Sequence, residues 1–238
     1  MIPKTVDHAL VCALTTICAM ILGTFMLRAE NRPTGAKESG PIKLPPPRTE
    51  GKMSLEETLA KRRSVREYKP DPLTLADVAQ LLWSAQGVTA PGGRRTAPSA
   101  GATYPLEVYL VAGNVTGLAP GIYRYRPGEH DLIRVAEGDR RARLADASLG
   151  QEWVEQAPIT IAFAAVYERT SRRYGARAER YVHFEVGHAV ENAHLQAVAL
   201  GLGAVVIGAF SDAEVKRVLG LPQAEEPLCL LPVGKPAR

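Results

Sequence analysis

Three guanidinium groups and a hydroxyl lie within five residues at Arg62-Arg63-Ser64-Val65-Arg66. Guanidinium forks match phosphate oxygens two at a time. Downstream, Thr96–Pro105 reads Thr-Ala-Pro-Ser-Ala-Gly-Ala-Thr-Tyr-Pro, almost wholly small side chains. Small residues let backbone N–H groups come close to a flat or phosphorylated ligand. Such a loop gains little from burial by itself, so its composition makes sense if a ligand fills the space over it. Together the two stretches point to one phosphate-bearing cofactor. Taken alone, the arginines fit equally well a solvated helix end, where the C-terminal dipole favours positive charge.

Other chemistries are excluded or weakened. Glu185-Val-Gly-His188 and Glu191-Asn-Ala-His194 are two Glu-x-x-His steps. A di-iron site needs such steps on two helices. Here both fall on one helix, six residues apart and so about 240° apart around it. They read as polar and interface positions. Gly201-Leu-Gly203 with Gly208 precedes a strand and lacks the dinucleotide spacing. It suits a helix end and a close backbone approach at Gly208. Three cysteines, Cys12, Cys18 and Cys229, form no metal or disulfide pattern. The net charge of +4 is spread along 238 residues with no basic helix, which gives no case for nucleic acid.

The elements that must position these residues follow from pattern and punctuation. Ser54-Leu-Glu-Glu57 is a capping box, predicting a helix that carries the arginines at its end and stops before Pro70. Thr74-Leu-Ala-Asp77 opens a second helix, with Val78, Leu81, Leu82 and Ala85 at helical spacing, ended by Gly87. Strands are predicted at 106–111, 121–125 and 131–135, with a short helix at 139–149. Apolar Ile159–Val166 suits a strand buried on both faces. A long helix runs over 176–201 with Gly187 inside it, where glycine marks close packing. A strand at 203–209, a helix at 212–219 and a strand at 228–233 complete an α+β domain from Met53 onward, with helices around one mixed sheet.

Ahead of it, Ala9–Leu27 is nineteen residues without a charge, long enough to span a membrane, and reads as a signal anchor or signal peptide over 1–29. Residues 30–52 form a Pro/Gly-rich linker. Basic residues after the apolar run favour a cytoplasmic domain. Placement at the extreme N-terminus favours export, and we take a membrane-anchored domain on the periplasmic side as the expectation.

Several motifs resemble one family. Arg-Arg-Ser-Val-Arg at 62–66 resembles the phosphate-binding opening of FMN-dependent nitroreductases, and Pro98-Ser-Ala-Gly-Ala-Thr-Tyr-Pro105 resembles a loop of that fold. With Gly-Ile-Tyr-Arg-Tyr at 121–125, Arg-Tyr-Gly at 173–175, Glu-Val-Gly-His-Ala at 185–189 and Val-Ile-Gly-Ala-Phe at 206–210, the set is similar to the SagB-type dehydrogenases, which include thiazole/oxazole-forming oxidases. The resemblance implies a nitroreductase-like homodimer with FMN at the interface, and NADH or NADPH as a possible reductant. It implies that Arg62, Arg63 and Ser64 hold the phosphate and ribityl chain, with Arg66 beside the pyrimidine edge. Pro98, Ser99, Ala100 and Gly101 would meet the flavin from the partner subunit. Gly208 would pack near the ring, and Lys235 would reach the phosphate. Arg173 and Tyr174 match a catalytic Lys-Tyr pair of azoline-oxidising members. Arginine in place of lysine argues against azoline oxidation of a peptide, because arginine moves protons poorly near neutral pH. A small organic substrate is therefore the first expectation and a peptide azoline the alternative. A flavin-binding subunit without turnover, assisting a partner enzyme, is a third reading. No metal is implied.

Overall fold

The computed structural model describes residues 40–238. The signal or anchor segment, 1–29, and the first part of the linker lie outside the described residues. Among the described residues no helix is long and apolar enough to cross a membrane.

Among the described residues eleven strands and seven α-helices follow in order: β1 (Ile42–Lys43), α1 (Leu55–Lys61), β2 (Leu73–Thr74), α2 (Leu75–Gln86), β3 (Val88–Ala90), β4 (Arg94–Arg95), β5 (Leu106–Ala112), β6 (Val115–Thr116), β7 (Gly121–Arg126), β8 (Asp131–Glu137), α3 (Arg141–Ala147), α4 (Glu152–Gln156), β9 (Ile159–Ala165), α5 (Tyr167–Tyr174), α6 (Ala178–Ala199), β10 (Gly203–Ala204), α7 (Asp212–Leu219) and β11 (Glu226–Gly234). Seven strands form the main sheet in the order β1-β8-β7-β5-β9-β11-β10. Its named strands pair antiparallel. Its mixed character comes from the edge, where Ser64 bridges Ala204 in parallel. This is the α+β fold expected, a mixed sheet flanked by helices.

Side chains alternate between two faces of a strand, and here the two faces meet two cores. Leu106, Val108 and Leu110 of β5 join Val78, Leu81 and Leu82 of α2 and Val182, Ala189 and Ala193 of α6. Tyr109 and Val111 of the same strand join Leu144 of α3, Val154 of α4 and Val215 and Leu219 of α7. Helices on both faces explain why all seven residues of β5 and of β9 are buried. Cys229 sits in the first core as a small apolar residue.

Two caps match their sequence signals. Ser54 Oγ accepts the Glu57 N–H, and Thr74 and Asp77 cap α2 reciprocally. Gly220 ends α7 in the left-handed region. Other expectations are corrected. The first helix stops at Lys61 with Arg62 as its C-cap, so the arginine cluster is extended chain, not helix. The Val65 N–H bonds the Ala204 carbonyl at 2.9 Å, and this edge pairing overrides the helical continuation. The strand expected over 203–209 is regular only at Gly203–Ala204, with Ile207 adding a bridge to Leu230. Helices α4 and α5 have no counterpart in the expectation. A Cβ on Gly187 would meet nothing within 4 Å outside its own helix backbone, so its lack of a side chain serves no contact among the described residues. Residues 40–52, read as spacer, follow the domain surface: β1 pairs with β8, and the Arg48 N–H bonds Gln80 Oε1 at 2.8 Å.

Removing the α2 cap gives a local test of this fold. Thr74→Ala loses the hydroxyl that accepts the Asp77 N–H. Denaturant unfolding should show a loss of about 1 kcal/mol with an unchanged m-value.

Candidate cofactor and substrate site

The arginine stretch lies along the sheet edge at β10. A Cβ on Gly203 would meet the Val65 side chain at 2.7 Å, so glycine is what lets the two chains close up. Val65 faces inward, while Ser64, Arg63 and Arg66 are exposed. The Arg63 guanidinium turns back on the Ala60 and Arg62 carbonyls, at 3.0 and 2.7 Å. The Arg66 guanidinium stands 5.6 Å over the Trp153 ring. Neither meets a carboxylate among the described residues, which leaves both charges available to an anion. Arg62 Nε is 3.9 Å from Glu191 Oε1. Beyond the cluster the Lys69 N–H bonds the Lys235 carbonyl at 2.9 Å, and Lys235 Nζ is 3.6 Å from Asp71. Lys235 thus runs beside the same extended segment.

The small-residue loop has an unusual backbone. Gly101, Ala102 and Tyr104 have φ of 59°, 54° and 45°. Left-handed backbone at non-glycine residues costs about 1–3 kcal/mol each and persists only where surroundings enforce it. The enforcing contacts are specific. The Tyr104 N–H donates to Ser99 Oγ at 2.9 Å, and Arg169 Nη1 donates to the Tyr104 carbonyl at 3.0 Å. Arg169 also pairs with buried Glu107. Thr103 and Thr170 share a hydroxyl–hydroxyl bond of 2.9 Å. The Arg95 guanidinium lies 4.4 Å over the Tyr104 ring.

Helix α5 brings the expected catalytic pair to this loop. Arg173 Nη1 donates to the Gly101 carbonyl at 3.2 Å. A Cβ on Gly101 would fall 2.6 Å from the Tyr174 hydroxyl and 2.9 Å from Arg173 Nη1. Tyr174 in turn meets Tyr181 edge-on, with ring centroids 5.0 Å apart. Gly101, Arg173 and Tyr174 therefore meet, with exposed Pro98 and half-buried Ser99 and Ala100 on the same loop.

Within one chain, the loop and the arginine stretch lie on different sides of α6. Glu191 faces Arg62, and Asn192 Nδ2 donates to the Thr96 carbonyl at 3.3 Å. Successive helix residues point about 100° apart. Exposed Gly208 lies past the bridge at Ile207. A cavity of about 710 Å³ between residues 48–58, α2 and α6 is walled by none of these expected site residues.

Sequence reasoning missed Arg95, Arg169 and Trp153, and read Glu185 as a polar or interface position and part of a family motif, with no role in the site. The Arg94-Arg95 pair directly before the small-residue loop was the available signal for Arg95. Trp153 and Arg169 sit on helices too short to show a periodic stripe. Burial pushes the Glu185 carboxyl up to about 7, against the lowering influence of Ser99 and Arg95. Burial also lowers the His194 imidazole, whose Nε2 lies 3.3 Å from the Arg63 carbonyl.

The loop geometry is testable without any ligand. Gly101→Ala puts a methyl where the Tyr174 hydroxyl stands, on backbone that disfavours a side chain. Stability should fall by about 1–2 kcal/mol, and near-UV circular dichroism should report displaced tyrosines. An unchanged spectrum would place Tyr174 away from Gly101.

Comparison with known proteins agrees with this fold. The chain matches the Nitroreductase family over residues 59–235. It is 48% identical over 183 residues to MJ1384 of Methanocaldococcus jannaschii, assigned as a nitroreductase, covering 77% of this chain and 91% of that protein. It is 29% identical over 157 residues to the microcin B17-processing protein McbC of Escherichia coli, spanning 63% of this chain and 58% of McbC. It is 25% identical over 194 residues to an FMN reductase [NAD(P)H] of Bacillus subtilis, covering 76% of this chain and 65% of that one. A crystal structure from Ralstonia eutropha JMP134, assigned as a nitroreductase, superposes with a TM-score of 0.74 at 34% identity, covering 87% of this chain and 94% of that one. The chain belongs to the nitroreductase family of oxidoreductases.

Proposed function

We propose that this protein is an FMN-dependent oxidoreductase of SagB type. It moves two electrons between the flavin and a small organic substrate, with NADH or NADPH as reductant, and it works as a membrane-anchored homodimer on the periplasmic side. The observation that carries the reading is the donor set on the sheet edge, exposed Arg63 and Ser64 beside half-exposed Arg62, with the Arg63 guanidinium meeting no carboxylate among the described residues. That donor set fits a phosphate monoester and leaves no fingerprint for a dinucleotide. The FMN reductase among the relatives supports the same cofactor.

FMN, when bound, supplies the two-electron chemistry. Arg62, Arg63 and Ser64 hold its phosphate and ribityl chain, with Lys235 adding charge from the neighbouring C-terminal segment. Arg66, fixed over Trp153, keeps a positive charge beside the ring and favours the reduced form. Gly208 gives room near the ring. Pro98–Gly101 offers small side chains and backbone from the partner subunit. The homodimer is supported by the separation of the two stretches around α6 and by that helix's outer face, where Phe184 is 57% exposed next to open Gly187. At the loop, the Tyr174 hydroxyl holds or passes a proton, while permanently charged Arg173 orients a polar substrate.

A peptide azoline is the second reading, favoured by the likeness to McbC. Arg173 in place of a lysine argues against it.

Two alanine variants separate the assigned roles. Arg62→Ala should weaken FMN binding about tenfold or more, through loss of a charge-assisted contact. Arg66→Ala should keep much of the FMN and lower its midpoint potential. Dissociation constants and potentials of both variants check this. Equal loss of FMN with no change in potential would make Arg66 a second phosphate ligand.

A further inference from the structure

The small-residue loop and helix α5 leave the sheet at one place. The loop enters β5 at Leu106, α5 follows β9 from Ala165, and those two residues are paired across the strands. Just outside the sheet the Pro105 carbonyl accepts the Val166 N–H at 2.9 Å. One residue inside it stands Glu107, a buried carboxylate on a strand paired on both sides.

Both oxygens of Glu107 are taken. Arg124 of β7 donates from Nε and Nη2 to Oε2, at 2.9 and 2.7 Å. Arg169 of α5 donates from Nη2 to Oε1. The Arg124 fork by itself balances the charge of the carboxylate, so a second arginine adds nothing to that balance. What Arg169 adds is reach: its Nη1 donates to the Tyr104 carbonyl at 3.0 Å. One guanidinium thus ties a rigid strand to the loop backbone.

The tie extends along α5. Residues 169, 170 and 173 lie within about 100° of one another around a helix. From that face Thr170 meets the Thr103 hydroxyl at 2.9 Å and Arg173 reaches the Gly101 carbonyl at 3.2 Å. Thr170 is the one buried residue of α5. Tyr167 packs partly on the core at the first turn, but no apolar side chain of the last turn is buried. The end that carries Arg173 and Tyr174 is therefore held to the loop mainly by polar contacts.

We propose that Glu107 and Arg169 are positioning residues that set α5, and with it Arg173 and Tyr174, against the cofactor loop. This rests on the reading that residues 98–101 meet FMN. Lysine at 169 keeps the charge beside Glu107 but replaces two forked N–H groups with one ammonium. Aspartate at 107 keeps the Arg124 pair and draws the carboxylate back toward β5 by one methylene.

The test compares full-length wild type, Arg169→Lys, Glu107→Asp and Arg172→Lys. Arg172 pairs with Glu168 on the exposed side of the same helix, so its variant is the control. Hydrogen–deuterium exchange is followed by mass spectrometry without added FMN. In Arg169→Lys and Glu107→Asp, peptides covering 99–105 and 167–177 should exchange about tenfold faster or more, both stretches together, with the sheet and α2 unchanged. Arg172→Lys should match wild type. FMN titration should give dissociation constants about threefold to tenfold higher in the first two variants only. Wild-type exchange in both stretches, acceleration of one stretch without the other, or uniform acceleration of the whole chain would overturn the proposal. So would unchanged FMN affinity in both variants. If wild type binds no FMN, the flavin reading fails, and the exchange pattern alone decides whether the pair positions α5.

Discussion

The site depends on one strained turn. Gly101, Ala102 and Tyr104 hold left-handed backbone within four residues, and the loop has no bulky side chain before Tyr104 to anchor it. Its conformation is held by Ser99 within the loop and by Arg95, Arg169 and Thr170 from outside it. The anchors come from the loop itself, from β4 and from α5, so the sheet and its helices must be complete before the loop has one shape. Such pre-organisation is what a cofactor platform needs: the cost of ordering is met in folding and not in binding.

The same logic explains the sheet edge. Extended chain at residues 64–65 joins β10 only because Gly203 has no side chain to keep Val65 off. With that close approach Val65 is partly covered, while Arg63, Ser64 and Arg66 stay exposed. Arg66 gains a fixed position over Trp153, which an arginine on a fraying helix end would not have.

Much of this was legible in the chain and some was not, for physical reasons. The N-cap at Ser54, the capping box at Thr74 and the terminal Gly220 act within four residues, so local sequence carries the whole signal. The buried run at Ile159–Ala165 announces itself because both faces are covered. The state of Arg62–Arg66 was not legible. Helix propensity would carry it on from α1, but a long-range pairing with Ala204 decides it. Likewise α5 is a polar helix with one buried residue, Thr170, and shows no apolar stripe to read. The loop and the Arg173-Tyr174 pair were each recognised as motifs, whereas their meeting at Gly101 is a property of the fold.

The central claim is that this scaffold holds FMN. The absorption spectrum of the purified full-length protein addresses it most directly, followed by identification of whatever is released on denaturation. The account predicts the two visible bands of an oxidised flavin, and FMN in the supernatant at one per protomer. A colourless protein that stays so after incubation with FMN, or one that releases FAD, would contradict it.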